Sequence, residues 1–203
     1  MTEKSKTRLV VIILFIMLPL VFIAGLLFGS ENISFSDIKT DKFAKIILFD
    51  IRLPRTLLAL LCGSLLAGSG AVFQGFFRTP LADSSMLGVT AGAAFGATIV
   101  SGFGVWMPFG AFAGAILTII LVFILSFGKK SSNEPIRLLL AGNAVSVFLS
   151  ALTSIIMLVR DKEMYKLYMW TLGSFNSKGY DELKFLIIPA IVSFVLFLFC
   201  IKP

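Results

Sequence analysis

The 203-residue chain has no histidine, only two cysteines, and few charged side chains, 14% of the total. Each shortage removes a class of function. Without an imidazole there is no histidine-based acid–base catalysis, no nucleophile–histidine–acid triad and no typical zinc site. Cys62 and Cys200 both fall inside apolar runs, where a thiol behaves as a small hydrophobe; neither a disulfide framework nor a metal centre follows from them. Carboxylates are missing from every long apolar run, which argues against a proton or sodium relay within those segments. Gly128-Lys129-Lys130-Ser131 looks superficially like a phosphate loop, yet no glycine stands five positions before Gly128 and the serine is displaced. The GxxxxGK[ST] nucleotide site is therefore absent. No catalytic residue, cofactor or metal ligand is expected.

What the chain has in excess is apolar surface. It is 58% hydrophobic, with a mean hydropathy of +0.98, more than one soluble core could hide. Crossing about 30 Å of hydrocarbon takes roughly 20 apolar residues. Six such segments are predicted: Leu9 to Phe28, Thr56 to Phe77, Met86 to Val105, Pro108 to Phe127, Leu138 to Val159 and Phe185 to Ile201. The first follows Lys4, Lys6 and Arg8, but its run is longer than a signal-peptide core and no small-x-small site ends it, so it reads as a retained helix. The net charge of +7 comes from cations in short loops between the spans. That pattern anchors a membrane protein and builds no nucleic-acid-binding face. The expected fold is an all-α integral membrane protein, a polytopic bundle of about six transmembrane helices forming a single domain over residues 1–203.

The stretch from Arg52 to Gly96 organises the rest and reads as a hairpin of two membrane helices at the centre of a bundle. Ala59, Gly63, Ala67, Ala71 and Gly75 recur every fourth position, and Gly88, Gly92 and Gly96 repeat the pattern in the second arm. Small residues on one helix face let a neighbouring backbone approach, which is how helices associate in lipid. Upstream, Ser36 is placed to cap an amphipathic helix carrying Ile38, Phe43, Ile46 and Ile47, expected to lie flat on the membrane. Pro54 then fits the first turn of the following helix. Arg52 and Arg55 flank it at the positive end of the helix dipole, either snorkelling to the interface or awaiting an acidic partner. Gly110 and Gly114 stand at GxxxG spacing in the fourth span. In the fifth, Gly142, Ser146, Ser150 and Ser154 form one stripe with Asn143 beside it, suited either to helix contact or to lining a polar passage. Tyr165, Tyr168 and Trp170 mark the membrane edge beyond. Lys and Arg divide almost evenly between the two sides, so charge does not set the orientation.

Three runs carry a resemblance. RLPRTLLALLCGSLLAGSGAVFQGFFRTPLADSSMLGVTAGAAFGA from Arg52, LLLAGNAVSVFLSALTSI from Leu138 and MWTLGSF from Met169 resemble the FecCD-type permeases, the membrane subunits of ABC importers for iron-siderophores, haem and cobalamin. Thr79 and Ser84 stand where that family often has Asn and Pro. The resemblance implies a pair of permeases, the second a copy or a homologue, around a central pathway in the bacterial plasma membrane. Two cytoplasmic ATP-binding-cassette ATPase subunits drive it, and an extracytoplasmic substrate-binding protein delivers the cargo. It also implies a cytoplasmic N-terminus, docking of binding-protein glutamates on Arg52 and Arg55, and a pathway bordered by the fifth helix at Asn143, Ser146 and Ser150. Such permeases have ten membrane helices, and this chain matches about the first six. A fragment, a truncated non-transporting membrane protein and half of a split permease are the corresponding expectations, and nothing resembles the selectivity filter of a passive channel.

Overall fold

The computed structural model describes residues 3–29, 41–80, 82–104, 106–126, 134–176 and 178–201, and these are helical with short connections and no strand. In chain order the helices are α1 (Glu3–Leu27), α2 (Lys42–Phe77), a 3₁₀ turn (Ser84–Leu87), α3 (Val89–Ser101), α4 (Met107–Ser126), α5 (Glu134–Val159), α6 (Asp161–Leu172) and α7 (Tyr180–Ile201). Five of them, α1, α2, α4, α5 and α7, are long and apolar enough to cross a membrane. Large apolar side chains are exposed along all five, as expected where lipid rather than water is the solvent. The chain divides into two compact units, residues 1–65 with 175–203 and residues 66–174, the division falling within α2.

In the first unit, two sequence expectations need correction. Ser36 and Ile38 lie outside the described residues, but Phe43, Ile46 and Ile47 do not sit on a separate surface helix. Lys42–Phe77 is one continuous helix of 36 residues, about 54 Å long at ~1.5 Å per residue, well beyond the hydrocarbon thickness. Its start is capped by Asp41, whose carboxylate accepts from the Phe43 N–H at 2.9 Å. Pro54 therefore lies inside the helix and not in its first turn. A proline there has no N–H to give and its ring presses on the carbonyl four residues back. The chain accommodates it by widening to a π-helix over Ile47–Arg52, in which the Leu53 N–H reaches the Leu48 carbonyl, five residues back. The Pro54 side chain is almost completely buried.

In the second unit the third predicted span, Met86 to Val105, is corrected to a 13-residue helix, α3, about 20 Å long and too short to cross the hydrocarbon alone. Glycines flank it. Gly88 takes φ +77°, where the 3₁₀ turn hands over to α3, and Gly104 takes φ +68° in the turn beyond its C-terminus. Arg78, just after α2, has φ +52°, a left-handed C-terminal position that most helices give to glycine. α3, α4 and α5 pack around Leu87, Val122, Leu138, Val145 and Leu149, with Phe73, Phe77 and Phe95 against them.

Candidate functional site

The arginine end of the first unit is built from α1, the π segment and the Pro54 region. The Arg52 guanidinium donates through Nη1 to the carbonyls of Leu26 and Leu27, both at 3.0 Å. These are the last, unsatisfied carbonyls of α1, which has no basic residue in its own final turn; a cation there also meets the negative end of the helix dipole. Thr56 Oγ1 donates to the Arg52 carbonyl, and α1 comes close beside it because Gly25 faces the Thr56 methyl. Arg55 differs. Its side chain is half-buried, and its Nε is enclosed with no hydrogen-bond partner among the described residues. A buried donor left unpaired costs about 1–3 kcal/mol.

In the second unit the two glycine pairs of α3 and α4 meet face to face. A Cβ on Gly96 would collide with the Gly110 carbonyl oxygen and one on Gly92 with the Thr118 hydroxyl; one on Gly114 would collide with the Gly92 carbonyl oxygen. Gly142 of α5 rests on the Met86 and Leu87 backbone, and Gly88 faces the Ser146 hydroxyl. Ser146 Oγ donates to the Gly142 carbonyl at 2.9 Å. Asn143 and Ser150, seven residues apart and therefore on one face, are exposed, as is Ser154. α5 thus buries Gly142, Val145, Leu149 and Thr153 and presents an amide and two hydroxyl-bearing residues on another face. The small residues of α2 are arranged differently from those of α3: Ala59, Gly63, Ala67, Ala71 and Gly75 are all exposed, and a Cβ at Gly63 or Gly75 would meet nothing within 4 Å.

Between α2 and α3, the Ser85 hydroxyl (2.9 Å) and the Ser84 hydroxyl (3.2 Å) donate to the Asp83 carboxylate. These bonds, Ser85 first, hold its pKa below the ordinary aspartate range despite an opposing effect of desolvation.

Sequence reasoning missed two further arginines. Arg160 Nη1 donates to the Thr98 carbonyl at 3.0 Å and to Ser101 Oγ at 3.3 Å, closing the end of α3. Arg137 donates to the Ser126 carbonyl at the end of α4. Like α1, α3 and α4 have no basic residue in their last turn. That lack was the available signal: an apolar helix end with no cation of its own, and a lone arginine elsewhere. The partners, 62 and 11 residues apart in sequence, could not be read from spacing.

The model of the FecCD transport family matches residues 13–203. The molybdate import system permease protein MolB of Haemophilus influenzae is 37% identical over 75% of this chain and 46% of its own length. The hemin transport system permease protein HmuU of Yersinia pestis is 30% identical over 90% of this chain and 58% of its own. A solved structure described as an inward-facing, metal-chelate type ABC transporter superposes with a TM-score of 0.76 at 32% identity, covering 91% of this chain and 59% of that one. The chain spans about half the length of these relatives.

Proposed function

From the premise that the chain belongs to the FecCD transport family, we propose that it is the membrane-spanning portion of a permease subunit in an ATP-binding-cassette importer. Its cargo is a metal chelate of the iron-siderophore, haem or cobalamin kind, handed over by an extracytoplasmic binding protein and moved by alternating access. Cytoplasmic ATPase subunits drive the cycle, and a second permease completes the pathway in the bacterial plasma membrane. In this reading residues 1–203 belong to one transmembrane domain with a cytoplasmic N-terminus, so the Arg52 end of α2 faces outside. The molybdate permease among the relatives shows that cargo varies between members.

The observation that carries the reading is the exposed polar face of α5. The Ser154 hydroxyl is met by the Ser150 carbonyl at 3.0 Å, but the Asn143 amide turned to lipid would be costly; against a water-filled pathway it is solvated. In a cysteine-free background, Asn143→Cys and Ser150→Cys are expected to react with a membrane-impermeant thiol reagent at least about tenfold faster than Phe148→Cys, an exposed apolar neighbour on α5. Equal rates at all three positions would remove the pathway from this face.

Docking of the binding protein falls to Arg55 more than to Arg52, because the Arg52 guanidinium is committed to α1 while the half-buried Arg55 side chain is held by no such bond among the described residues. Reversing a charge that meets a carboxylate across an interface costs about 2–5 kcal/mol. Arg55→Glu is therefore expected to raise the Kd of the loaded binding protein at low salt by about 30-fold or more. An unchanged Kd would assign Arg55 to membrane anchoring.

A further inference from the structure

The π-helical segment of α2 leaves one backbone group without its expected donor. In its register each N–H reaches the carbonyl five residues back, as Leu53 does to Leu48. The next donor in that series would be residue 54, and residue 54 is proline. Pro54 has no N–H, so the Phe49 carbonyl loses the donor that the π register would have supplied. Another residue takes the place: the Tyr180 hydroxyl, on the first residue of α7, donates to the Phe49 carbonyl at 2.7 Å across 131 residues of sequence. Both residues lie in the first compact unit.

We infer that the Tyr180 hydroxyl is a latch that stands in for the amide missing at Pro54 and holds Ile47–Arg52 in its π register. The consequence is conformational. A π turn holds one residue more than an α turn, so removing it rotates the N-terminal end of α2 by about 100° relative to the remainder of the helix. Two registers of α2 are thereby available, and they differ in where Lys42–Ile46 points. The latched register is fixed from three sides: Tyr180 on the Phe49 carbonyl, the Arg52 guanidinium on the end of α1, and Thr56 Oγ1 on the Arg52 carbonyl. Of the three, Tyr180 is the contact that comes from a helix distant in sequence, and deleting a single oxygen removes it without disturbing packing. An exposed neutral hydrogen bond of this kind is weak enough to open, which is what a latch between two registers requires.

The test is a double-mutant cycle in the full chain in lipid nanodiscs, read by hydrogen exchange of the peptide spanning residues 48–56. Tyr180→Phe keeps the ring and removes the hydroxyl; amide exchange in this peptide is expected to rise about three- to tenfold, with Val89–Ser101 unchanged. Pro54→Ala returns an N–H to the helix, and in that background Tyr180→Phe is expected to change exchange less than about twofold. No response to Tyr180→Phe, the same response with and without Pro54, or an equal rise across Val89–Ser101 would each overturn the latch.

Discussion

Gly96→Leu is expected to unseat α3 from α4 and to cost the unit formed by residues 66–174 about 3 kcal/mol, the upper end for overpacking. The reason is what stands opposite. A side chain at Gly96 meets the Gly110 carbonyl oxygen and the Gly114 Cα, which are backbone atoms of a helix and cannot turn aside as a flexible side chain would. Gly92 is hemmed in by Thr118 and the Gly114 carbonyl, so shifting α3 along α4 offers no escape. Gly63 on α2 supplies the contrast. With nothing within 4 Å of its Cβ position, Gly63→Ala is expected to be neutral or to stabilise by about 0.5–1 kcal/mol, the ordinary gain from replacing glycine inside a helix. Unfolding in mixed micelles by added SDS, followed by circular dichroism, separates the two. If Gly63→Ala in the isolated chain were as damaging as Gly96→Leu, the exposed face of α2 would have to be packed in the folded protein, and the assignment of the crossing to α3 and α4 would lose its distinctiveness.

Arg160→Met is expected to destabilise the same unit by about 2 kcal/mol, with Arg160→Lys falling between it and the native chain. α3 ends at the negative pole of its dipole, where the Ser101 hydroxyl and the Gly102 and Phe103 N–H groups meet the Thr98, Ile99 and Val100 carbonyls but no basic residue of its own stands in the last turn. Arg160 supplies both a cation and a planar donor to the Thr98 carbonyl and the Ser101 hydroxyl; hydrogen bonds from a charged group contribute about 1.5–3 kcal/mol. Methionine retains most of the stem, so the loss isolates the guanidinium, and lysine restores the charge without the fork. The readout is the SDS midpoint together with exchange of the amides of residues 98–103. An unchanged midpoint with unchanged exchange would show that the end of α3 is satisfied without Arg160. Gly102 has a linked role, because a Cβ there would run into this guanidinium.

Much of the architecture was legible because membrane crossing is a strong constraint on composition. Long apolar runs without carboxylates leave helices as the form that pairs every backbone group internally, and the runs at Leu9, Thr56, Pro108, Leu138 and Phe185 each fall in a helix long enough to span. The run at Met86 misled because hydropathy is blind to dihedral angles: its glycines at 88, 102 and 104 count as neutral in composition, while Gly88 starts α3 with a left-handed φ, Gly102 caps its end and Gly104 turns the chain beyond it with a second left-handed φ. Pro54 misled for a related reason. Its preference for a first turn is a statement about missing donors, and a π turn upstream meets the same need inside a continuous helix.

The sequence by itself determined that this chain is an all-α membrane protein, and its RLPR and LADSSMLG runs carried the resemblance to its family. Those properties follow from residue type and short-range spacing. The tertiary structure decided which of two similar small-residue stripes is used within the chain, because a stripe only permits close approach and the facing backbone, here Gly110 and Gly114 against Gly92 and Gly96, must exist to make it. It also decided the partners of Arg52, Arg137, Arg160 and Tyr180. Each of these side chains completes a helix by reaching a carbonyl that lies between 11 and 131 residues away, and a single helix end carries no information in its own sequence about which distant donor will satisfy it.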